Sequence, residues 1–124
     1  MLTPAKKKYL FTIYEIGLQK AKIRSVDIAK SIRISKASVC NMLPDLVENG
    51  LVEKDSDGIV ALTYEGEKFG KMLYDGYKSL YGFFCNTLKS SEGCAREDAL
   101  TIICNLTDEN ANNMSKCSLV DAAR

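Results

Sequence analysis

The 124-residue chain has no histidine, only two prolines, no CxxC pair among its five cysteines and no apolar run long enough to cross a bilayer. Each absence narrows the function. With histidine missing and Cys40, Cys85, Cys94, Cys104 and Cys117 scattered singly, zinc or iron ligation at the usual Cys/His spacing is not expected. No phosphate-cradling glycine-rich loop and no nucleophile–base motif is present, so the chain does not read as an enzyme. The most apolar N-terminal run, Tyr9 to Leu18, is too short for a membrane span and carries Thr12 and Glu15. Lys6, Lys7 and Lys8 imitate the basic start of an export signal. Glu15 inside the apolar stretch and the lack of a small-residue cleavage site argue against export. A cytoplasmic protein with no membrane partner is the expectation, and there an odd number of cysteines reads as mostly buried, reduced thiols.

What is present is a globular composition with an uneven charge. Hydrophobic residues make up 46% and charged residues 27%, which suits one folded domain or two small subdomains sharing a helix. The net charge is only +1, but nine bases stand against four acids through Asn49, leaving the remainder at −4. A basic first part joined to an acidic second part fits a phosphate-binding module attached to something else.

Thr3-Pro4 is a helix start, and Leu10, Ile13, Tyr14, Gly17 and Leu18 recur at helical spacing after it. Lys20 to Arg24 reads as a basic connector. Ser25 is expected to cap a second helix, with Asp27 complementing its positive end and Val26, Ile28, Ala29 and Ile32 buried. A third helix runs from Lys36 to about Asn49, with Val39, Leu43 (or Met42) and Leu46 inward. Pro44 inside it predicts a kink, or else an early end. The β-prone segments Leu51–Lys54 and Ile59–Leu62 flank the turn residues Asp55-Ser56-Asp57-Gly58, a small hairpin. Thr63 then caps a long helix to roughly Leu88, with Phe69, Leu73, Tyr77, Leu80 and Phe84 along one face. Helices near Glu97–Leu106 and Asp108–Lys116 follow, and the tail after Ser118 is expected to fray.

This order makes the fold class mainly α: a winged helix-turn-helix with a small β-hairpin wing, followed by an all-α dimerisation region. The domains are expected at residues 1–63 and 64–124. A helix entering the major groove needs small or hydrogen-bonding residues near its N-terminus, and Ser35, Lys36, Ala37, Ser38 and Asn41 meet that need. Asn41 suits adenine, Ala37 a thymine methyl, and Lys36 guanine or a phosphate; Ser35 reads equally well as a helix cap. Lys22, Lys30 and Arg33 are candidate phosphate contacts, which position without reading sequence. The wing tip is acidic, and Lys54 is its one candidate contact. Tyr74, Tyr77, Tyr81, Phe83 and Phe84 follow helical spacing, so core and dimer interface explain them better than a ligand box. Gly66, Gly70, Gly76 and Gly82 point to close helix packing. The expected partners are double-stranded DNA and a second copy of the chain.

The segments "DIAKSIRISKASVCNMLPDLVENGLV" and "ALTYEGEKFGKML", in this order of elements, resemble the diphtheria-toxin-repressor family of metalloregulators. The likeness is greatest to the short manganese-transport-regulator branch, which lacks an extra C-terminal barrel domain. It starts at Leu2-Thr3-Pro4, reaches about Leu106, and is carried jointly by Asp27-Ile28-Ala29, Ser38-Val39, Gly50-Leu51-Val52 and Leu62-Thr63-x-x-Gly66. The resemblance implies an iron-dependent-repressor-like, homodimeric transcriptional regulator whose later helices form the dimer. It also implies Mn²⁺ or Fe²⁺ setting DNA affinity.

At the family's ligand positions this sequence has Lys8, Phe11, Tyr77, Leu100, Ile103 and Cys104, which lack the donors a first-row divalent ion needs. No metal cofactor is therefore expected from the residues. Either apolar side chains and Lys8 fill the site and lock one conformation, or Cys104 belongs to a sensor of thiol oxidation or a small ligand. Outside this family, a winged-helix protein-interaction module and a MarR-like regulator are the alternatives; the latter needs a longer N-terminal dimerisation helix than Met1 to Lys22 provides.

Overall fold

The computed structural model describes residues 2–117, so the expected fraying of the tail after Ser118 falls outside the described residues. The elements run α1 (Pro4–Gly17), β1 (Ile23–Arg24), α2 (Ser25–Ile32), α3 (Lys36–Glu48), β2 (Val52–Lys54), β3 (Ile59–Leu62), α4 (Tyr64–Asn86), α5 (Glu92–Asn105) and α6 (Asp108–Lys116). The fold is a mainly helical winged helix-turn-helix followed by helices. The chain divides into two compact units, ending at Lys71 and beginning at Met72, and the boundary falls within α4.

In the first unit, α1 begins as its sequence dictates: the Thr3 hydroxyl accepts from the Lys6 N–H at 3.2 Å, and Pro4 occupies the first turn. Leu10, Phe11 and Ile13 of α1 are buried, as are Ile28 and Ala29 of α2 and Val39, Leu43 and Leu46 of α3. This apolar set holds the helix-turn-helix; truncating one such leucine to alanine costs about 2–5 kcal/mol.

Several local expectations are corrected. The cap of α2 is Arg24, not Ser25: the Arg24 backbone N–H donates to the Asp27 carboxylate at 2.9 Å, and Ser25 is buried as the first helical residue. Val26 is 39% exposed, because starting the helix at Ser25 turns that position outward. Lys20 to Arg24 is more than a connector, since Ile23 and Arg24 pair antiparallel with Val60 and Ile59. The result is a three-stranded sheet in the order β1-β3-β2, where the sequence showed only a hairpin. Of the two expectations for Pro44, the early end is excluded, since α3 continues to Glu48 with Pro44 exposed inside it. Within the run Lys6 to Lys8, Lys7 is 4% exposed, whereas Lys8 is exposed.

The wing turn is built by Asp55. Its carboxylate accepts from the Asp57 and Ile59 N–H groups, each at 2.9 Å, and Gly58 closes the turn at φ +81°. Where the wing enters α4, the Thr63 hydroxyl donates to the Gly50 carbonyl at 2.7 Å and accepts from the Gly66 N–H at 3.0 Å. Gly66 packs against the Leu51 backbone so closely that a Cβ there would fall on its carbonyl oxygen.

In the second unit, Leu73, Tyr77 and Leu80 of α4 are buried, together with Ala95, Ala99, Ile103 and Cys104 of α5 and Ala111 of α6. Phe84 is only half-buried. Helix α5 starts at Glu92, five residues before the expected Glu97, because the Ser91 hydroxyl accepts from the Cys94 N–H and caps it there. A Cβ on Gly76 would lie 2.5 Å from the Ile103 Cδ1, which accounts for glycine at this crossing. The thiols are not mostly buried as expected. Cys104 alone is; Cys40 and Cys85 are half-buried, and Cys94 and Cys117 are exposed.

Candidate nucleic-acid interface

Helix α3 starts as a recognition helix needs to. The Ser35 hydroxyl accepts from the Ser38 N–H at 3.1 Å and lies 2.9 Å from the Ser38 hydroxyl, so Ser35 serves as the cap. Lys36, Ala37, Ser38 and Asn41 are all exposed, while Val39 between them is fully buried. One face of the helix start thus holds it to the core, and the other carries a cation, a methyl, a hydroxyl and an amide toward solvent. The turn before it is tight. Arg33 adopts the left-handed conformation at φ +66°, and its N–H donates to the Ala29 carbonyl at 2.8 Å.

Asp27 pairs with Lys20 at 3.0 Å. The Arg24 N–H, and then Lys20, hold its carboxyl below the ordinary carboxylate range. Lys22, Lys30, Arg33 and Lys54 are exposed. Of the candidate residues, Lys36 and Lys54 are brought together, on a groove of about 250 Å³ that Arg24 also lines; Lys22, Lys30 and Arg33 do not line it. Arg24 was overlooked in the sequence because a two-residue strand shows no periodicity. Its guanidinium donates to the Asp57 carbonyl of the wing turn at 2.9 Å. The Ile23-Arg24 step, a β-branched residue just before a helix cap, was the available signal.

The family's ligand positions contain few donors. Phe11 and Ile103 are fully buried carbon, Leu100 is half-buried, and Lys8 is exposed, so its ammonium fills no buried site. The Tyr77 hydroxyl accepts from the Arg96 guanidinium at 3.0 Å, which places a cation where a metal would need an anionic donor. Cys104 is a buried thiol. Among the described residues, no group of three or more His, Cys, Asp or Glu is placed to hold a metal ion. These residues do not fit a divalent metal at those positions.

Residues 1–59 match the family described as "Iron dependent repressor, N-terminal DNA binding domain". The HTH-type transcriptional regulator MntR of Lysinibacillus sphaericus (strain C3-41) is 30% identical over 83 residues, covering 67% of this chain and 60% of that protein. The structure of the manganese regulator SloR aligns with a TM-score of 0.75 and 28% identity, over 93% of this chain and 54% of that one. That of the metal-dependent transcriptional regulator MtsR aligns with a TM-score of 0.77 and 25% identity, over 97% of this chain and 55% of that one. The chain therefore spans 60% of the curated relative and little more than half of these two solved ones.

The relatives are transcriptional regulators, not enzymes. They also overturn the expectation, drawn from residues alone, that no metal cofactor is involved: these solved relatives are a manganese regulator and a metal-dependent transcriptional regulator. Substitution at six positions was too narrow a basis for that expectation, because it tests one donor set only. Residues 1–59 thus match the DNA-binding domain of the iron dependent repressors, and the chain as a whole is similar to manganese- and metal-dependent transcriptional regulators.

Proposed function

We propose that the protein is a homodimeric transcriptional regulator that binds double-stranded DNA through residues 1–63 and pairs through residues 64–124. The observation that carries this is the exposed N-terminal turn of α3, where Lys36, Ala37, Ser38 and Asn41 face solvent around a fully buried Val39. Asn41 reads a base and Lys36 a base or phosphate, while Lys22, Lys30, Arg33 and Lys54 hold the backbone. Repression is the role of the family that residues 1–59 match. No described helix is long and apolar enough to cross a membrane. A metal acting on this chain draws on donors other than the six family positions.

Dimerisation is supported by the later part of α4. Tyr81, Phe83 and Phe84 remain half-exposed, and Leu88 beyond the helix is 55% exposed. Such apolar surface on a small unit marks an interface. Light scattering at micromolar concentration should give the mass of a dimer.

The test of DNA binding is affinity against salt. Phosphate contacts release counterions, so binding should fall steeply as salt rises, and Asn41→Ala and Lys36→Ala should weaken it while leaving the melting temperature unchanged. Salt-insensitive behaviour, or no effect of either substitution in folded protein, would favour a protein-binding winged helix.

A further inference from the structure

We propose that the groove between the start of α3, the start of α2 and the wing seats one phosphodiester of the DNA backbone. This rests on the DNA-binding function above and goes beyond it by naming a pocket and a residue, Arg24, that the sequence did not single out. The groove has a volume of about 250 Å³ and is lined by Arg24, Lys36 and Lys54, with Asp57 as its only acid. That leaves an excess of two positive charges in one concavity, where the protein's low-dielectric walls concentrate the field. Among the described residues, neither Lys36 nor Lys54 is held in an ion pair. The Asp57 carboxylate offsets only one of the three cations, so a further anion entering the hollow is attracted.

The geometry also fixes the walls. Arg24 pairs with Ile59 through the backbone and donates from its guanidinium to the Asp57 carbonyl at 2.9 Å, tying the wing turn to the start of α2. One of its five N–H donors is used in this way, and the others remain for an anion. Asp55, the second acid of the wing tip, is turned into the turn by its bonds to the Asp57 and Ile59 N–H groups. Lys36 belongs both to this groove and to the exposed face of α3, so a strand whose bases meet Asn41 brings its backbone past the groove. Arg24 acts here as a positioning residue for the wing as well as a phosphate contact.

The experiment measures affinity for a DNA fragment selected from a random pool, at several salt concentrations, for the whole chain and its variants. Lys54→Gln should weaken binding to every sequence alike and lower the slope of log affinity against log salt by about one, so that its deficit shrinks about three- to fourfold from 50 to 200 mM salt. Lys54→Arg should restore both, and Asp57→Asn should tighten binding a few-fold. Arg24→Gln should weaken binding at least as much as Lys54→Gln, with a melting curve recorded to confirm folding. An unchanged slope in folded Lys54→Gln, while the parent protein binds DNA steeply, overturns the pocket and leaves the DNA-binding function standing. Absence of DNA binding by the parent overturns both. Inorganic phosphate without DNA should not raise the melting temperature; a rise that Lys54→Gln abolishes would overturn the backbone assignment in favour of a free-anion site.

Discussion

In the unit ending at Lys71, exposed cations gather around a helix start and a strand turn; in the unit beginning at Met72, aromatic rings gather along a helix instead. Lys36 and Lys54 share one groove with Arg24. Tyr81, Phe83 and Phe84 lie half-buried along the later part of α4, and Leu88 beyond it is 55% exposed. The first surface is suited to a polyanion met in water, where salt screens the attraction. The second is suited to another apolar surface, where area removed from water is the driving force. The lesson is that a near-neutral net charge conceals two surfaces with opposite preferences, so the whole-chain average says little about partners.

The packing of the two units differs in how rigidly each is closed, and glycine substitutions expose this. Gly66→Ala places a methyl on the Leu51 carbonyl oxygen, a backbone atom that cannot swing away. The expected loss is about 3 kcal/mol or more in urea unfolding, even after the gain in helix propensity. A variant as stable as the parent would show that the wing–α4 junction yields.

Next in size is the effect on DNA. Asn41→Ala should cost about 1–3 kcal/mol on the preferred sequence and less on variants of the base it reads, measured by competition binding. A uniform loss across sequences would make Asn41 a backbone contact.

Gly76→Ala should cost only about 1 kcal/mol. Its methyl meets the Ile103 Cδ1, the far end of a side chain that can rotate, and alanine favours the helix. If its thermal unfolding shifts as far as that of Gly66→Ala, the contrast between the units disappears.

The smallest effect concerns pH. Asp27 accepts from the Arg24 N–H and pairs with Lys20, and its carboxyl is held below the ordinary range. A depressed carboxyl stabilises the fold above its unfolded pKa, and that contribution is lost as pH falls through the folded value. Asp27→Asn should therefore destabilise by about 0.3–1 kcal/mol at neutral pH. The two proteins should converge in stability below the folded pKa of Asp27. A difference that persists in acid would assign it to the hydrogen bond rather than the charge.

Much of this was legible in the residues, for reasons that can be named. Thr3-Pro4, Ser35 and Thr63 carry hydroxyls that satisfy helix N–H groups, so the starts of α1, α3 and α4 were fixed locally. The wing was readable because Asp55 and Gly58 have only one economical arrangement in a short turn. What escaped was set by distant partners. The strand at Ile23–Arg24 exists only because β3 lies beside it, and Arg24 acquires a role only when the wing turn arrives. The burial of Lys7 rather than Lys8 depends on helix phase against neighbours, which three consecutive lysines do not reveal. The metal expectation failed for a different reason: absent donors at chosen positions speak about those positions only, while the solved relatives are manganese- and metal-dependent regulators.

The central claim is that the exposed start of α3 reads DNA from a dimer. Its most direct test is selection of bound fragments from a random double-stranded DNA pool by the purified chain. The expected product is an enriched, two-fold symmetric site whose half-sites are centred about one helical turn, roughly 34–36 Å, apart or a multiple of it. Enrichment should be lost with Asn41→Ala. A pool that stays random after repeated rounds, with the parent protein folded throughout, would contradict the account.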